Sequence, residues 1–121
     1  MVIAKAQGVP DFVLNARADC VFVGDTVQDS IERGKRYLEA GACSVFVFRG
    51  ARGLRDAEVK DLAEGLSGRL NVLYRKDMKN PLSTSEIAEK GVCRISMGSG
   101  LWRLGMATIE REIQIALEGS D

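Results

Sequence analysis

Short apolar segments alternate with longer amphipathic segments along the chain, and this alternation limits the possible folds more than any other feature. Each apolar segment has the length and the β-branched or aromatic composition of a buried strand. The predicted strands cover residues 11–16, 44–48, 70–74 and 93–97. The predicted helices cover residues 27–40, which Asp25 or Thr26 would cap, and residues 56–66, which Asp56 would cap. Two more cover a short segment from the Ser83-Thr84-Ser85-Glu86 capping box to Gly91 and residues 101–118. Residues 2–8 are expected to be the end of a further helix.

The strand–helix order repeats at about 28 residues per unit, which predicts an α/β fold with parallel strands and right-handed crossovers. Two architectures fit this order: a small open sheet with helices on both faces, or half of a (β/α)8 TIM barrel made of about four βα units. A whole barrel needs about 250 residues, whereas this chain has 121. We therefore expect one domain over residues 1–121. A lone half-barrel would leave two strand edges unpaired, which favours association.

The composition excludes several classes of partner. Seventeen basic and 17 acidic residues cancel, so neither nucleic acid nor a membrane is an expected partner. The chain start has no signal-peptide layout. The three cysteines, Cys20, Cys43 and Cys93, include no C-x-x-C pair, which predicts reduced thiols and a cytoplasmic protein. Histidine is absent, so any chemistry must rest on carboxylates, Lys, Arg, Ser, Tyr or Cys.

Basic side chains cluster after the predicted strands, where α/β folds bind ligands. Against about four acids stand seven cations: Arg17, Arg49, Arg52, Arg55, Arg75, Lys76 and Lys79. This basic rim either attracts a carboxylate or phosphate anion or consists of ordinary solvated loops. Gly98-Ser99-Gly100 opens the last helix, where Ser99 and the backbone could bind an anion. The alternative is a tight strand-to-helix turn.

Other candidate residues have simpler interpretations. Cys43 and Cys93 lie at strand beginnings and are predicted to fill the core. Cys20 lies on the ligand side but has no basic neighbour that would make it a nucleophile. The last predicted helix carries a continuous apolar stripe, interpreted as a packing surface: Trp102, Met106, Ile109, Ile113 and Leu117.

The first predicted strand and the residues after it read Phe12-Val13-Leu14-Asn15-Ala16-Arg17-Ala18-Asp19. This segment resembles the fifth strand of the isocitrate lyase/phosphoenolpyruvate mutase superfamily, where a strand ending in N-A-R-x-D delivers an arginine to the substrate's acidic group. The resemblance continues in order: residues 30–42 are similar to the next helix, residues 45–47 to the sixth strand, residues 70–73 to the seventh and residues 91–98 to the eighth. It covers nearly the whole chain and implies the C-terminal half of a barrel, strands five to eight.

The resemblance also implies an activity. Members of the superfamily cleave or form C–C or P–C bonds next to a carboxylate, through a Mg²⁺-stabilised enolate-type intermediate, in small 2-oxo or hydroxy acids. Arg17 would bind a carboxylate or phosphonate, and Asn15 and Asp19 would hold Arg17 or a substrate oxygen. Asn71 would hydrogen-bond the substrate. The structural alternatives are a salt bridge for Arg17 and Asp19 and a strand-end amide cap for Asn71.

Departures from the family pattern leave the function open. The family's metal-binding carboxylates and its mobile catalytic loop belong to the first half of the barrel, so Mg²⁺ is expected for the family but its ligands are missing from this chain. The basic loop from Arg75 to Lys79 is also not typical of the family. Three hypotheses follow: a half that is inactive alone, a split enzyme completed by an N-terminal half-barrel, or a non-catalytic homo-oligomer that binds an anion at the basic rim. The family habit of swapping the eighth helix predicts that residues 101–118 contact a second subunit.

Overall fold

The computed structural model describes residues 2–78 and 81–119, in which four parallel strands form one sheet in the order β1-β2-β3-β4. The strands are β1 (Asn15–Ala18), β2 (Ser44–Val47), β3 (Leu70–Leu73) and β4 (Arg94–Ser96). The helices are α1 (Val2–Ala6), α2 (Cys20–Val23), α3 (Val27–Glu39), α4 (Asp56–Gly65), α5 (Thr84–Glu89) and α6 (Gly100–Glu118), with a 3-10 turn at Gly50–Arg52. The predicted α/β fold of four βα units is confirmed.

The core lies between the sheet and the helices on one of its faces. Val45, Val47, Leu70 and Val72 are buried on that face of β2 and β3. Against them pack α3 and α4, through Ile31, Val59, Leu62, Ala63 and Leu66. Glycines allow α3 and α4 to lie close together, because a Cβ at Gly65 would come within 2.8 Å of the Ile31 side chain. We call this helix-covered side of the sheet the outer face.

The first strand begins later than the sequence predicts. Its predicted range was residues 11–16, but Phe12, Val13 and Leu14 are exposed and outside the sheet. Pairing starts at Asn15 because its neighbour β2 starts at Ser44, directly opposite. Pairing then continues to Ala18, which lies beside Val47. Strand length is therefore set by the partner strand, and the apolar run alone misplaces it.

Helix starts follow the predicted capping residues with one exception. Thr26 caps α3 and Ser83 caps α5, each in a reciprocal box in which the Asp29 or Glu86 carboxylate accepts the cap's backbone N–H. Asp56 was predicted to cap α4, but it is the first residue of that helix. Instead, the Glu58 carboxylate accepts a 2.7 Å hydrogen bond from the Arg55 N–H. The short helix α2, which ends at a left-handed Gly24, was not predicted.

The last helix differs from the others, since none of its 19 residues is buried. Trp102 is 67% exposed and Leu117 is 78% exposed, and the rest of the predicted apolar stripe is also accessible. The stripe therefore does not pack within this chain, and its contact with a second subunit stays a prediction. Within the described residues, no helix is long and apolar enough to span a membrane.

The cysteine predictions are met only in part. Cys20 is buried, Cys43 is half-buried and Cys93 is exposed. The prediction that Cys93 fills the core is wrong, because it precedes the edge strand β4, whose surroundings are half-open. Its thiol donates instead to the Leu70 carbonyl at 3.3 Å.

Candidate anion site on the inner face of the sheet

The face of the sheet opposite the core carries polar side chains in a row. Strand alternation and the register place these residues together, because paired residues of parallel strands point to the same side. Arg17 pairs with Phe46, Phe46 with Asn71, and Asn71 with Arg94. We call this side the inner face, formed by Asn15, Arg17, Ser44, Phe46, Asn71, Leu73, Arg94 and Ser96.

The guanidinium of Arg17 is held from two sides. Its Nε donates a 2.8 Å hydrogen bond to Oδ1 of Asp19. Its central carbon lies 4.2 Å from the centre of the Phe48 ring and 5.9 Å from that of Phe46. Phe22 of α2 packs against Phe48, with ring centres 5.1 Å apart. Aromatic stacking and one ion pair thus orient a side chain that remains half-exposed.

Asn71 is fully buried, yet half of its amide has no partner. Its Oδ1 accepts a 3.0 Å hydrogen bond from the Ser96 hydroxyl. Its Nδ2, in contrast, makes no hydrogen bond in the described structure. A buried donor without an acceptor costs about 1–3 kcal/mol, so such a group is uncommon unless a ligand or a missing neighbour satisfies it.

The remaining predicted site residues lie at the margins. The Asn15 Oδ1 accepts a 2.8 Å hydrogen bond from Ser44, so among the described contacts Asn15 holds Ser44 rather than Arg17. Ser99 precedes α6 without a capping bond from its side chain. Its hydroxyl instead accepts a 3.2 Å hydrogen bond from the Arg103 Nε. The structure thus brings Arg17, Asp19, Asn15 and Asn71 to one side of the sheet and leaves Ser99 beyond the end of β4.

Much of the basic rim is neutralised within the chain. Arg49 lies 3.0 Å and Arg52 lies 3.6 Å from Oε1 of Glu58. Arg75 binds both carboxylate oxygens of Asp77. The hydrogen bond from Arg75 holds the pKa of Asp77 below its ordinary value, and raises the pKa of Arg75 in return. Lys79, also assigned to the rim, lies outside the described residues.

Sequence reasoning missed several residues of this face. Arg94 is exposed at the start of β4, and no ion pair of the described residues includes it. Phe46 and Phe48 were assigned only to a strand, without the stacking on Arg17. Strand alternation within β2 could have grouped the two phenylalanines. The pairing of Arg94 with Asn71, however, depends on a register that the sequence does not specify.

The inner face does not fit a magnesium site. Mg²⁺ prefers several oxygen ligands in octahedral geometry. Across residues 2–78 and 81–119, no cluster of three or more acidic or thiol side chains could hold a metal ion. Asp19 lies on the ligand side but is engaged by Arg17.

The parallel sheet, the helix-covered outer face and the row of polar side chains define a half-barrel of the (β/α)8 class. Residues 1–117 match the family model described as phosphoenolpyruvate phosphomutase, and the chain belongs to that family. The resemblance noted in the sequence is therefore confirmed. No curated protein matches the sequence.

Solved structures give the same result. A Burkholderia cenocepacia J2315 protein assigned as a lyase/mutase is 25% identical with a TM-score of 0.77, covering 95% of this chain and 41% of its own. A protein of the same organism assigned as a phosphonomutase is 28% identical with a TM-score of 0.74, covering 92% of this chain and 44% of its own. A 2,3-dimethylmalate lyase of the superfamily is 22% identical with a TM-score of 0.72, covering 98% of this chain and 41% of its own, and shares the fold. The chain thus spans less than half the length of the structures it matches.

Proposed function

We propose that this chain is the substrate-binding, C-terminal half of a lyase or phosphonomutase that cleaves or forms a C–C or P–C bond next to the carboxylate of a small 2-oxo or hydroxy acid. The family membership and the similarity to a protein assigned as a phosphonomutase support this reaction class. The observation that carries the proposal is the oriented, half-exposed guanidinium of Arg17 on the same face as the unpaired amide of Asn71.

Arg17 and Asn71 have different roles in this proposal. Because Nε of Arg17 is engaged by Asp19, its two terminal nitrogens are left to bind the substrate's carboxylate or phosphonate. The phenyl rings keep water from one side of that guanidinium, which strengthens its attraction for an anion. Asn71 lies two strands away from Arg17, and the two strand spacings add up to about 10 Å. Its Nδ2 would donate to a second oxygen of the same acid.

The chain alone is proposed to be inactive. The family is generally metal-dependent, and the described residues offer no set of ligands for Mg²⁺. We assign those ligands to a complementary half-barrel with an acidic inner face. Charge supports this choice: Asp19 pairs with Arg17, but Arg94 lies on the inner face and is in no ion pair of the described residues. A cation enclosed in a barrel requires a carboxylate partner.

A second candidate is the non-catalytic homo-oligomer that binds an anion. The unpaired edges of β1 and β4 and the exposed apolar side of α6 favour association of some kind. Two copies joined through their inner faces would, however, bring two Arg94 side chains together with no additional acidic residue to pair with them. Light scattering during size-exclusion chromatography separates the candidates. A stable dimer that persists when α6 is made polar would favour the homo-oligomer joined through its strand edges, because the family's own subunit contact is expected at α6.

The site is proposed to act in the cytoplasm. Cys20, Cys43 and Cys93 are all unpaired, and cysteines of cytosolic proteins generally stay reduced. A count of fewer than three free thiols in protein that is freshly purified and then unfolded in denaturant would contradict this assignment.

Calorimetric titration with oxalate, a small dicarboxylate, tests the proposed binding role. We expect weak saturable binding that Arg17→Met weakens at least tenfold, because charged hydrogen bonds contribute about 1.5–3 kcal/mol. Arg111→Met is the matched control, since Arg111 is an exposed arginine of α6 that pairs with Glu112. Equal binding by the Arg17 and Arg111 variants would refute the role of Arg17. Turnover of oxaloacetate by the pure chain with Mg²⁺ would refute its inactivity.

A further inference from the structure

A cavity of about 320 Å³ lies between the loop after β3 and the first turns of α6. Tyr74 and Met97 line it from the ends of two neighbouring strands. Leu73 and Ser96 point to the inner face, so the residues that follow them begin on the opposite side of the sheet. Neither Arg17 nor Asn71 lines the cavity.

The walls of this cavity combine two kinds of chemistry. Met97, Leu101 and Leu104 give it an apolar lining, although the two leucines are 60% and 62% exposed. Three cations lie at its margin: Arg75, Lys76 and Arg103. The one acidic residue of the lining, Asp77, is already engaged by Arg75. Two positive charges thus remain beside a hydrophobic surface.

Neither remaining cation forms an ion pair with a carboxylate in the described structure, although the charge of Arg103 helps to lower the pKa of Asp77. Arg103 donates its Nε to the Ser99 hydroxyl, which fixes the guanidinium near the start of α6 without cancelling its charge. Lys76 takes part in no described ion pair. Gly100 allows the loop to approach, since a Cβ there would lie 3.3 Å from Cγ of Arg75. The loop and the helix therefore form one cleft with cationic and apolar parts.

We propose that this cleft binds a small amphipathic anion, with a carboxylate-type head at Lys76 and Arg103 and a short apolar body on Met97, Leu101 and Leu104. Small-molecule sites typically have volumes of about 300–1,000 Å³ and combine apolar walls with a few polar groups. A body of about six to eight carbons suits the lower end of that range. The loops after the last two strands of (β/α)8 barrels also commonly hold anionic groups. The site does not depend on the proposed lyase half-site.

Methyl NMR of methionine-labelled full chain, titrated with octanoate, tests this site. We expect a saturable shift of the Met97 methyl signal and none at Met78, which is buried. Octanol at the same concentration should shift Met97 at least tenfold less strongly, because it lacks the charged head. The double variant Lys76→Gln/Arg103→Gln should weaken the octanoate binding reported by Met97 at least tenfold, whereas Arg111→Gln should leave the Met97 response unchanged.

Three results would overturn the proposal. Equal shifts with octanol and octanoate would show a merely apolar surface. Unchanged octanoate binding by the double variant would remove the role of the two cations. If the Met97 methyl signal of octanoate-free samples shifted as the protein concentration increased, a second copy of the chain would be shown to cover the cleft.

Discussion

The two faces of the sheet differ in the composition of their side chains and in how completely those side chains are buried. On the outer face, aliphatic side chains such as Val45, Leu62 and Leu70 are 0% exposed and contact one another. On the inner face, Arg17 is half-exposed and Asn71 keeps an unpaired amide. Both faces belong to the same four short strands, so the difference cannot come from the backbone. The outer face provides the stability of the fold, and the inner face is available for binding.

The largest expected effect is a difference in the free energy of unfolding between a variant of the outer side and a variant of the inner side. Leu62→Ala on the outer side should lower the free energy of unfolding by about 2–5 kcal/mol, because it leaves a cavity in the core. Arg17→Met on the inner side should change it by less than about 1 kcal/mol, since exposed ion pairs contribute little. Urea unfolding monitored by circular dichroism gives both values. Similar losses in the two variants would mean that the inner face is also structural.

A second prediction concerns Asn71. The alternative to its role in substrate binding is that of an amide cap at the end of its strand. Asn71→Leu removes a buried unpaired donor, so the free energy of unfolding should stay within about 1 kcal/mol of the parent chain. Oxalate binding should nevertheless be lost. Ser96→Ala is the matched control, because it removes only the hydroxyl that donates to Asn71. A loss of stability above about 2 kcal/mol with retained oxalate binding would support the structural cap.

The smallest expected effect is a loss of stability at low pH that comes from the capping boxes of α3 and α5. Hydrogen bonds from the Thr26 side chain and backbone lower the pKa of Asp29, and those from Ser83 likewise lower the pKa of Glu86. A lowered folded-state pKa means that the stabilisation is present above the unfolded-state pKa and is lost as the pH falls. Melting temperatures should therefore decline below about pH 4.

The double variant Asp29→Asn/Glu86→Gln is the control for this pH effect. At pH 7 its melting temperature should be lower than that of the parent chain. Below about pH 4 its melting temperature should fall less steeply, because its capping groups no longer titrate. Should the variant and the parent lose stability in parallel below pH 4, the acid sensitivity would belong to other carboxylates and the caps would not be its source.

The sequence predicts the outer face better than the inner one, for a physical reason. Burial of apolar residues and capping boxes are local patterns, so the βα units and most helix starts are correctly predicted. The range of β1 is wrong because pairing with β2, and not the apolar run, determines where a strand begins. The stacking of Phe48 on Arg17 and the position of Arg94 beside Asn71 depend on contacts between strands, which no local pattern encodes.

The number of basic residues in the rim overestimates the charge that is left to attract an anion. The sequence predicts a basic rim of seven cations, but Arg49 and Arg52 share Glu58, and Arg75 binds Asp77. Paired charges attract an external anion less strongly than the count suggests. What distinguishes Arg17 from the rest of the rim is its orientation by aromatic rings as well as by Asp19, with no described hydrogen bond from its terminal nitrogens.

The central claim is that the inner face is an incomplete anion site in which Asn71 still has a free donor. The most direct test follows the side-chain amide signals of ¹⁵N-labelled protein during titration with oxalate. We expect the Asn71 amide and the Arg17 Nε signals to shift together and to saturate at the same oxalate concentration, and Arg17→Met to abolish the Asn71 shift. Oxalate-dependent shifts confined to the other arginines of the rim, with the Asn71 amide unmoved, would contradict the central claim.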